Sequence, residues 1–347
     1  MSTHKLSFEE SLEKVVLAEK CMGCAACVVV CPFVCLQYSE EMPKLVKKCE
    51  ACGICPRVCP RYDLSYPALE KFAFERERKP EEEFGIYRRI VVAKSSDENV
   101  LQVCQDGGVV TSLLVFALEN GMIDGAVVSG ISEEKPFYPI SRLATNPQEV
   151  LECAGTRYSY SPNLLAFHEA IKLKKRDLAF VGTPCQIHAL RKIQIIPLRK
   201  YADPLKFTIG LMCTESFTYE GLMEKQIEGT LGVNLHSVKK INIKAKVLVT
   251  QRSGEIKVIP LAEAKRYTRK SCTFCTDFSG ELADISAGGL GLSGWTVCVI
   301  RTRVGEELFE GAEGAGVLKT MPIEEEKGAL DLLTKLSKRK RKTVSPP

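Results

Sequence analysis

The sequence lacks the marks of several large protein classes. No apolar run reaches the roughly 18 residues of a membrane span. The best candidate, residues 109–131, is cut by Glu119, Asn120, Asp124 and three glycines. The first thirteen residues are polar and acidic, so no signal peptide is expected, and the expected compartment is the reducing cytoplasm. There is no G-x-G-x-x-G fingerprint and no Walker A loop, so nicotinamide binding on a Rossmann unit is not indicated. No serine elbow is present, nor any motif of paired carboxylates. The four histidines (His4, His168, His188, His236) are scattered and read as solvent-facing or satisfied. The net charge of +5 has one source, an uninterrupted basic run of Lys335, Lys338, Arg339, Lys340, Arg341 and Lys342. The rest of the chain is close to neutral, so no nucleic-acid partner is expected.

Cysteine is what the sequence has in excess: 16 in 347 residues. A chain of this length has room for roughly two domains and needs no disulfide staples. In a reducing compartment so many thiols point to metal binding or redox chemistry.

Eight of them form a repeat. Cys21-x2-Cys24-x2-Cys27-x3-Cys31-Pro32 is followed by Cys49-x2-Cys52-x2-Cys55-x3-Cys59-Pro60. This is the bacterial ferredoxin run, twice. Three close thiolates wrap one cubane, and the fourth reaches the other cluster. One 4Fe–4S cluster is therefore expected on Cys21, Cys24, Cys27 and Cys59, the other on Cys49, Cys52, Cys55 and Cys31. A pair of zinc knuckles would space its ligands differently. Cys35 falls outside the pattern and reads as a buried thiol; Cys104, Cys153 and Cys298 read as core residues.

Four further cysteines stand in suggestive places. Cys272-x2-Cys275 is a loop pair, Cys185 opens an expected helix after a strand, and Cys213 ends a strand. A helix N-terminus favours a thiolate. Spacing alone leaves a third cluster, a zinc site and unrelated thiols all open. Three glycine-rich loops form a second theme. Gln105-Asp106-Gly107-Gly108-Val109-Val110-Thr111 opens a helix, where backbone N–H groups could meet a phosphate. Gly155-Thr156-Arg157-Tyr158 offers hydroxyl, guanidinium and ring together. Gly182-Thr183-Pro184 precedes another helix.

Along the chain, residues 1–68 read as a small two-cluster ferredoxin domain, held by its metal. Residues 69–84, rich in both charges, read as a linker or short exposed helix. Residues 85–325 alternate strand and helix: strands at 89–94, 125–128, 177–181 and 207–212, and helices at 108–120, 161–175, 184–192 and 219–231, with 236–302 mainly β. Residues 326–347 read as a basic C-terminal tail, solvated or attracted to an anionic surface. The fold class is α+β, in part α/β, with a mixed sheet.

These blocks also carry a resemblance. CQDGGVVTSLLVFALENGMIDGAVV (104–128), AGTRYS (154–159), FVGTPCQIHALRK (180–192), IGLMC (209–213) and CTFCTDFSGELADISAGGLG (272–291) resemble, in order and spacing, the family of beta subunits of coenzyme F-420 hydrogenases and dehydrogenases. The resemblance covers about residues 85–310. It implies FAD, with contacts from Gln105, Gly107, Gly108, Val109, Thr111, Gly155, Thr156, Arg157, Tyr158, Gly182, Thr183 and Pro184. It also implies a 4Fe–4S cluster on Cys185, Cys213, Cys272 and Cys275, and coenzyme F-420 as substrate, its acidic tail led outward by basic residues such as Arg157. The ferredoxin lobe in front is similar to the input subunits of archaeal F-420H2 dehydrogenases. That implies peripheral association with the cytoplasmic face of the membrane, docked on a quinone or methanophenazine reductase complex. Ferredoxin-dependent F-420 reductases share the fusion and would run the reaction backwards, with ferredoxin as partner. A flavin adapts two-electron hydride transfer to one-electron clusters, so a chain with all three kinds of site is wired for that conversion. A flavin-free electron-transfer subunit is the alternative of another class.

Overall fold

The valine- and isoleucine-rich runs of the middle segment form one sheet because they have two buried faces to fill. The computed structural model describes residues 5–196 and 198–342. His4 and residues 343–347 of the basic segment lie outside them. The strands are β1 (Leu36–Ser39), β2 (Met42–Leu45), β3 (Arg89–Ser95), β4 (Gly125–Ile131), β5 (Pro139–Ala144), β6 (Leu178–Gly182), β7 (Leu205–Leu211), β8 (Val238–Lys244), β9 (Lys246–Gln251), β10 (Ile256–Pro260), β11 (Ile285–Gly288), β12 (Thr296–Ile300) and β13 (Leu318–Pro322). Eight make a sheet in the order β13-β3-β12-β11-β7-β6-β4-β5. β4, β6, β7 and β11 are parallel neighbours, while β5, β12 and β13 run against their partners. The sheet is thus mixed, and β6 is buried along its whole length, as a strand covered on both faces must be.

One face packs Val91, Val128, Phe207, Ile209 and Ile300 against helices Val109–Glu119 and Arg303–Gly314. The other packs Val127, Leu178 and Phe180 against helices Ala166–Lys172 and Pro184–Ile195. The same core includes Met22, Ala26, Val29, Val30 and Val58 of the cysteine-rich lobe. The lobe is therefore docked by a shared hydrophobic core. Polar bonds join it as well: the Tyr201 hydroxyl donates to the Val29 carbonyl at 2.5 Å, and Lys192 to the Cys59 carbonyl at 3.1 Å. β8, β9 and β10 form a separate antiparallel meander that packs on helix Glu220–Thr230. Among the described residues no helix is long and apolar enough to cross a membrane.

Several segments differ from their sequence reading. The helix expected over 161–175 starts later and is shorter: the Ser161 carbonyl accepts from Gln186, and the chain makes a 3-10 turn at Asn163–Leu165 before helix Ala166–Lys172. Segment 219–231 is helical but widened to π geometry. Residues 261–284 are short helical turns and loops, not strands, because they wrap the cysteines instead of joining a sheet. The charged segment 69–84 is not a solvated linker. Its helix, Tyr66–Phe74, buries Leu69 and Glu70, and Arg78 pairs with Glu70 and with Glu281, at 2.5 Å for the latter. The basic segment is not a free tail either. Helix Lys327–Lys342 buries Ala329, Leu333 and Ser337, and ties Lys338 to Glu83 at 2.6 Å and Arg341 to Glu281 at 2.5 Å.

Candidate functional site

The two cysteine runs fold around two cavities in the lobe. Cys21, Cys24, Cys27 and Cys59 line one of about 390 Å³. Cys31, Cys49, Cys52 and Cys55 line the other, of about 340 Å³. The fourth cysteine of each run thus faces the partner run's cavity. Tight turning of the first run needs Gly23: its φ is +71°, and a Cβ there would lie 2.3 Å from the Glu41 carbonyl oxygen. Cys35, outside the repeat, is buried and also lines the second cavity, where it donates to the Lys48 carbonyl.

Backbone amides aim at the sulfurs. The backbone amides of Gly23 and Ala26 favour the thiolates of Cys21 and Cys24, and those of Arg61 and Tyr62 that of Cys59. Phe8 donates to Cys49 at 3.4 Å and Cys35 to Cys31 at 3.3 Å. Such donors stabilise thiolates and tune the potential of any cluster they hold. Without a cation, the thiols cannot ionise easily. Burial, then mutual repulsion, pushes Cys24 and Cys27 well above the ordinary thiol range, and Cys55 up to about 12. A bound metal would supply the missing positive charge.

Cys185, Cys213, Cys272 and Cys275 meet in a third cavity, of about 360 Å³. Each sulfur is positioned by its own local structure. Cys185 is the second residue of helix Pro184–Ile195, whose start is fixed by a capping box between Thr183 and Gln186. Cys213 follows β7, its N–H bonded to the Phe278 carbonyl at 2.8 Å. Cys272 sits in the turn Lys270–Phe274 and accepts from the Ser216 amide at 3.3 Å; Cys275 follows that turn. Tyr160 and Thr183 hydroxyls lie 3.7 and 3.2 Å from the Cys185 sulfur. Burial pushes the Cys213, Cys272 and Cys275 thiols up.

Three cations line this cavity: Arg61, Arg269 and Lys340. Arg61 donates to the Ser271 carbonyl at 3.3 Å and also to that of Phe274. Arg269 donates to the Met22 carbonyl at 3.2 Å, pairs with Glu41 at 3.3 Å and stacks over the Tyr160 ring. Met22 and Arg61 also line the Cys21 cavity, so the two share a wall. Cys27 and Cys55 pack in one buried cluster and so link the two lobe cavities in turn. The three cavities therefore form a row.

The glycine-rich loops sit beyond the carboxyl ends of sheet strands, where ligands of open α/β sheets bind. Gly182-Thr183-Pro184 follows β6, and Thr183 and Pro184 line the third cavity. Gly107 accepts from Ser95 at the end of β3 and donates to Thr296 at 3.0 Å. Gln105 and Tyr158 meet at 3.3 Å, and Tyr158 accepts from the Ile243 amide, so the first two loops are joined through β8. The side chains of Val109 and Thr111 are buried, leaving only their backbone for a ligand. Arg157 does not reach outward: its guanidinium folds back onto the Ala154 carbonyl at 2.9 Å and the Cys153 carbonyl. Gly155 has φ +90° and, like Thr156, offers backbone at the same loop. Along 157–163 a strip of buried polar atoms lacks protein partners: Arg157 Nε, Ser159 Oγ, Ser161 Oγ and Asn163 Oδ1. Buried polar groups normally find a partner, so this strip fits a polar cofactor.

His188, read from sequence as a bland histidine, is buried and bonded to Asp277 at 2.9 Å, with the Tyr66 hydroxyl at 3.3 Å. Asp277 lines the third cavity; burial alone would raise its carboxyl, but the His188 bond and charge, with Arg301 nearby, hold it below the usual range. Sequence reasoning also passes over Arg61, Arg269 and Met22, and reads Lys340 only as part of the basic tail. Arg61 and Arg269 do stand within three residues of a cysteine, which is a usable signal. Lys340 lies far from any.

A mixed sheet carrying a cysteine-lined cavity at its carboxyl edge, joined to a cysteine-rich lobe, defines a redox subunit class. Residues 90–168 match the model described as coenzyme F-420 hydrogenase/dehydrogenase, beta subunit N-term, and residues 175–326 match its C terminus. The chain belongs to this family of beta subunits. The coenzyme F-420 hydrogenase beta subunit of Methanosarcina barkeri is 41% identical over 261 residues, 74% of this chain and 89% of that protein. A subunit of the F-420H2 dehydrogenase of Methanosarcina mazei is 30% identical over 339 residues, 95% of this chain and 92% of that one. That second match includes most of the cysteine-rich lobe's length. A chain from the F-420-reducing [NiFe] hydrogenase complex of Methanosarcina barkeri superposes with a TM-score of 0.73 at 37% identity, covering 77% of this chain and 92% of that chain.

Proposed function

We propose that this chain is the input subunit of an F-420H2 dehydrogenase. It takes hydride from reduced coenzyme F-420 onto a bound FAD. Single electrons then pass through three 4Fe–4S clusters to a quinone or methanophenazine reductase complex on the cytoplasmic face of the membrane. The carrying observation is the row of three cysteine-lined cavities, each with at least four cysteines, on a scaffold shared with F-420 proteins. When bound, the flavin supplies the exchange between hydride and single electrons, and the clusters supply one-electron steps.

The chain's own residues prepare these sites. Twelve cysteines would ligate iron, four per cavity. Arg61, Arg269 and Lys340 offset negative charge at the third cavity. Loops 105–111, 155–158 and 182–184 would hold the flavin, and the unpartnered atoms of Ser159, Ser161 and Asn163 supply polar contacts. Hydride transfer needs alignment and exclusion of water, not an acid–base side chain, in keeping with the lack of any catalytic histidine or serine motif. A single zinc ion at the third site fits less well. Zinc draws four sulfurs to about 2.3 Å from one point. Among the described residues no three metal-binding side chains converge on one ion.

The test is anaerobic turnover of the purified protein with reduced F-420 and an artificial one-electron viologen acceptor. Two viologens should be reduced per F-420 oxidised. Inactivity with reduced F-420 but turnover with NADH would assign the chain to another oxidoreductase class.

A further inference from the structure

The third cavity is closed by a lysine from the far end of the chain. Lys340 lines it beside Cys213, Cys272 and Cys275, and its ammonium donates to the carbonyl of Thr214, next to Cys213. The position is held firmly. Helix Lys327–Lys342 buries Leu333, packs Leu336 against the Phe84–Phe278 cluster, and is pinned on either side of Lys340 by the Lys338–Glu83 and Arg341–Glu281 pairs. The other two cations at the cavity are also held, Arg61 by two carbonyls and Arg269 by a carbonyl and Glu41. Two carboxylates also stand near. Asp277 is bonded to His188, and Glu215 pairs with Lys265 at 3.3 Å. The charge of Lys340 thus comes from outside the cysteine-bearing segments and acts on three of the four sulfurs.

We propose that Lys340 is a fixed counter-charge that raises the reduction potential of a cluster on Cys185, Cys213, Cys272 and Cys275. The inference rests on the third-cluster reading above. One electron entering makes the site one charge more negative, with no bond made or broken. A fixed positive charge in a low-dielectric wall favours that state. The basic C-terminal helix, on this view, makes the cluster next to the flavin loops a good electron acceptor.

The experiment is a potentiometric titration of the full-length, anaerobically purified protein, with dithionite as reductant and mediators, followed by electron paramagnetic resonance. The relevant midpoint is the one missing from Cys272→Ser. In Lys340→Gln, with about 12 irons retained, the reduced-to-oxidised ratio of that cluster should fall about tenfold at fixed potential, a shift of about 59 mV to lower values for one electron. Lys340→Arg should restore it. Lys335→Gln, which removes the same charge from an exposed position of the same helix away from the cavity, should leave it in place. Full iron with an unmoved potential in Lys340→Gln, or an equal shift in Lys335→Gln, would overturn the inference and leave the cluster standing. Loss of about four irons in both Lys340→Gln and Lys340→Met would overturn it too, by making the lysine a structural closure. About eight irons in the unsubstituted protein would remove the third cluster and the inference together.

Discussion

Arg78→Ala tests how the segment after the lobe, the sheet domain and the C-terminal helix are fastened. Arg78 stands between two buried carboxylates. It bonds Glu70 through Nε and Glu281 through Nη1 at 2.5 Å, and Glu281 also holds Arg341 at 2.5 Å. Glu70 and Glu281 are 2% and 1% exposed, so water cannot replace the lost guanidinium. Breaking a buried pair costs about 3–5 kcal/mol. The lower end applies here, because Glu281 keeps Arg341 and Glu70 keeps the amide of residue 78 at 3.0 Å. The variant should therefore lose about 3 kcal/mol, read as a fall of several degrees in the anaerobic thermal transition. The loss should depend on pH. Burial, then repulsion from Asp277, already lifts the Glu281 carboxyl above its ordinary range against the pull of Arg78 and Arg341. Without Arg78 it rises further. An acid whose folded value is raised destabilises the fold above its unfolded value, and the fold regains stability as pH falls through the raised one. The gap between variant and parent should be wider at higher pH, so melting is compared at about pH 8 and about pH 6. Adding Glu281→Gln to Arg78→Ala should recover part of the loss. A gap that is flat with pH and unrelieved by Glu281→Gln would refute the reasoning.

Other outcomes follow from the same geometry. Gly108 has φ +74°, and a Cβ there would meet Val100 at 2.7 Å, whereas Gly121 has φ +63° with nothing within 4 Å. Gly108→Ala should cost about 2–4 kcal/mol, from left-handed strain plus overpacking, and Gly121→Ala only about 1 kcal/mol; equal melting shifts would contradict these contacts. Cys272→Ser should lower iron from about 12 to about 8 per chain and leave the lobe clusters' signals intact. Ligation needs thiolates, and burial raises Cys24, Cys27 and Cys213. Iron uptake by the apoprotein should therefore release protons and proceed further at about pH 8.5 than at about pH 7, as followed by absorbance during reconstitution.

The parts legible from sequence are those with a local period or spacing. The x3 step before Cys31 and Cys59 signals their exchange between runs, short continuous apolar runs mark β3, β4 and β6, and the helical period marks helix Val109–Glu119. What stays hidden depends on distant partners. Nothing near Arg78 indicates Glu281, and nothing near His188 indicates Asp277. Segment 327–342 stands out by its charge, yet Ala329, Leu333 and Leu336 repeat at helical spacing and mark a face that packs. Residues 261–284 defy a β reading because they follow the geometry of the cysteine cavity, not a strand repeat. The charge of Arg157 suggests the surface; the structure turns it inward, where the carbonyls of Cys153 and Ala154 receive it.

The most direct test mixes the oxidised protein anaerobically with reduced F-420 and follows absorbance in a stopped-flow instrument. Hydride transfer to a flavin predicts bleaching at about 450 nm, the band of its oxidised form, followed by slower loss of the broad iron–sulfur absorbance. In Cys49→Ser the first phase should survive. Absence of a flavin band, or a band that bleaches with NADH and not with reduced F-420, would contradict it.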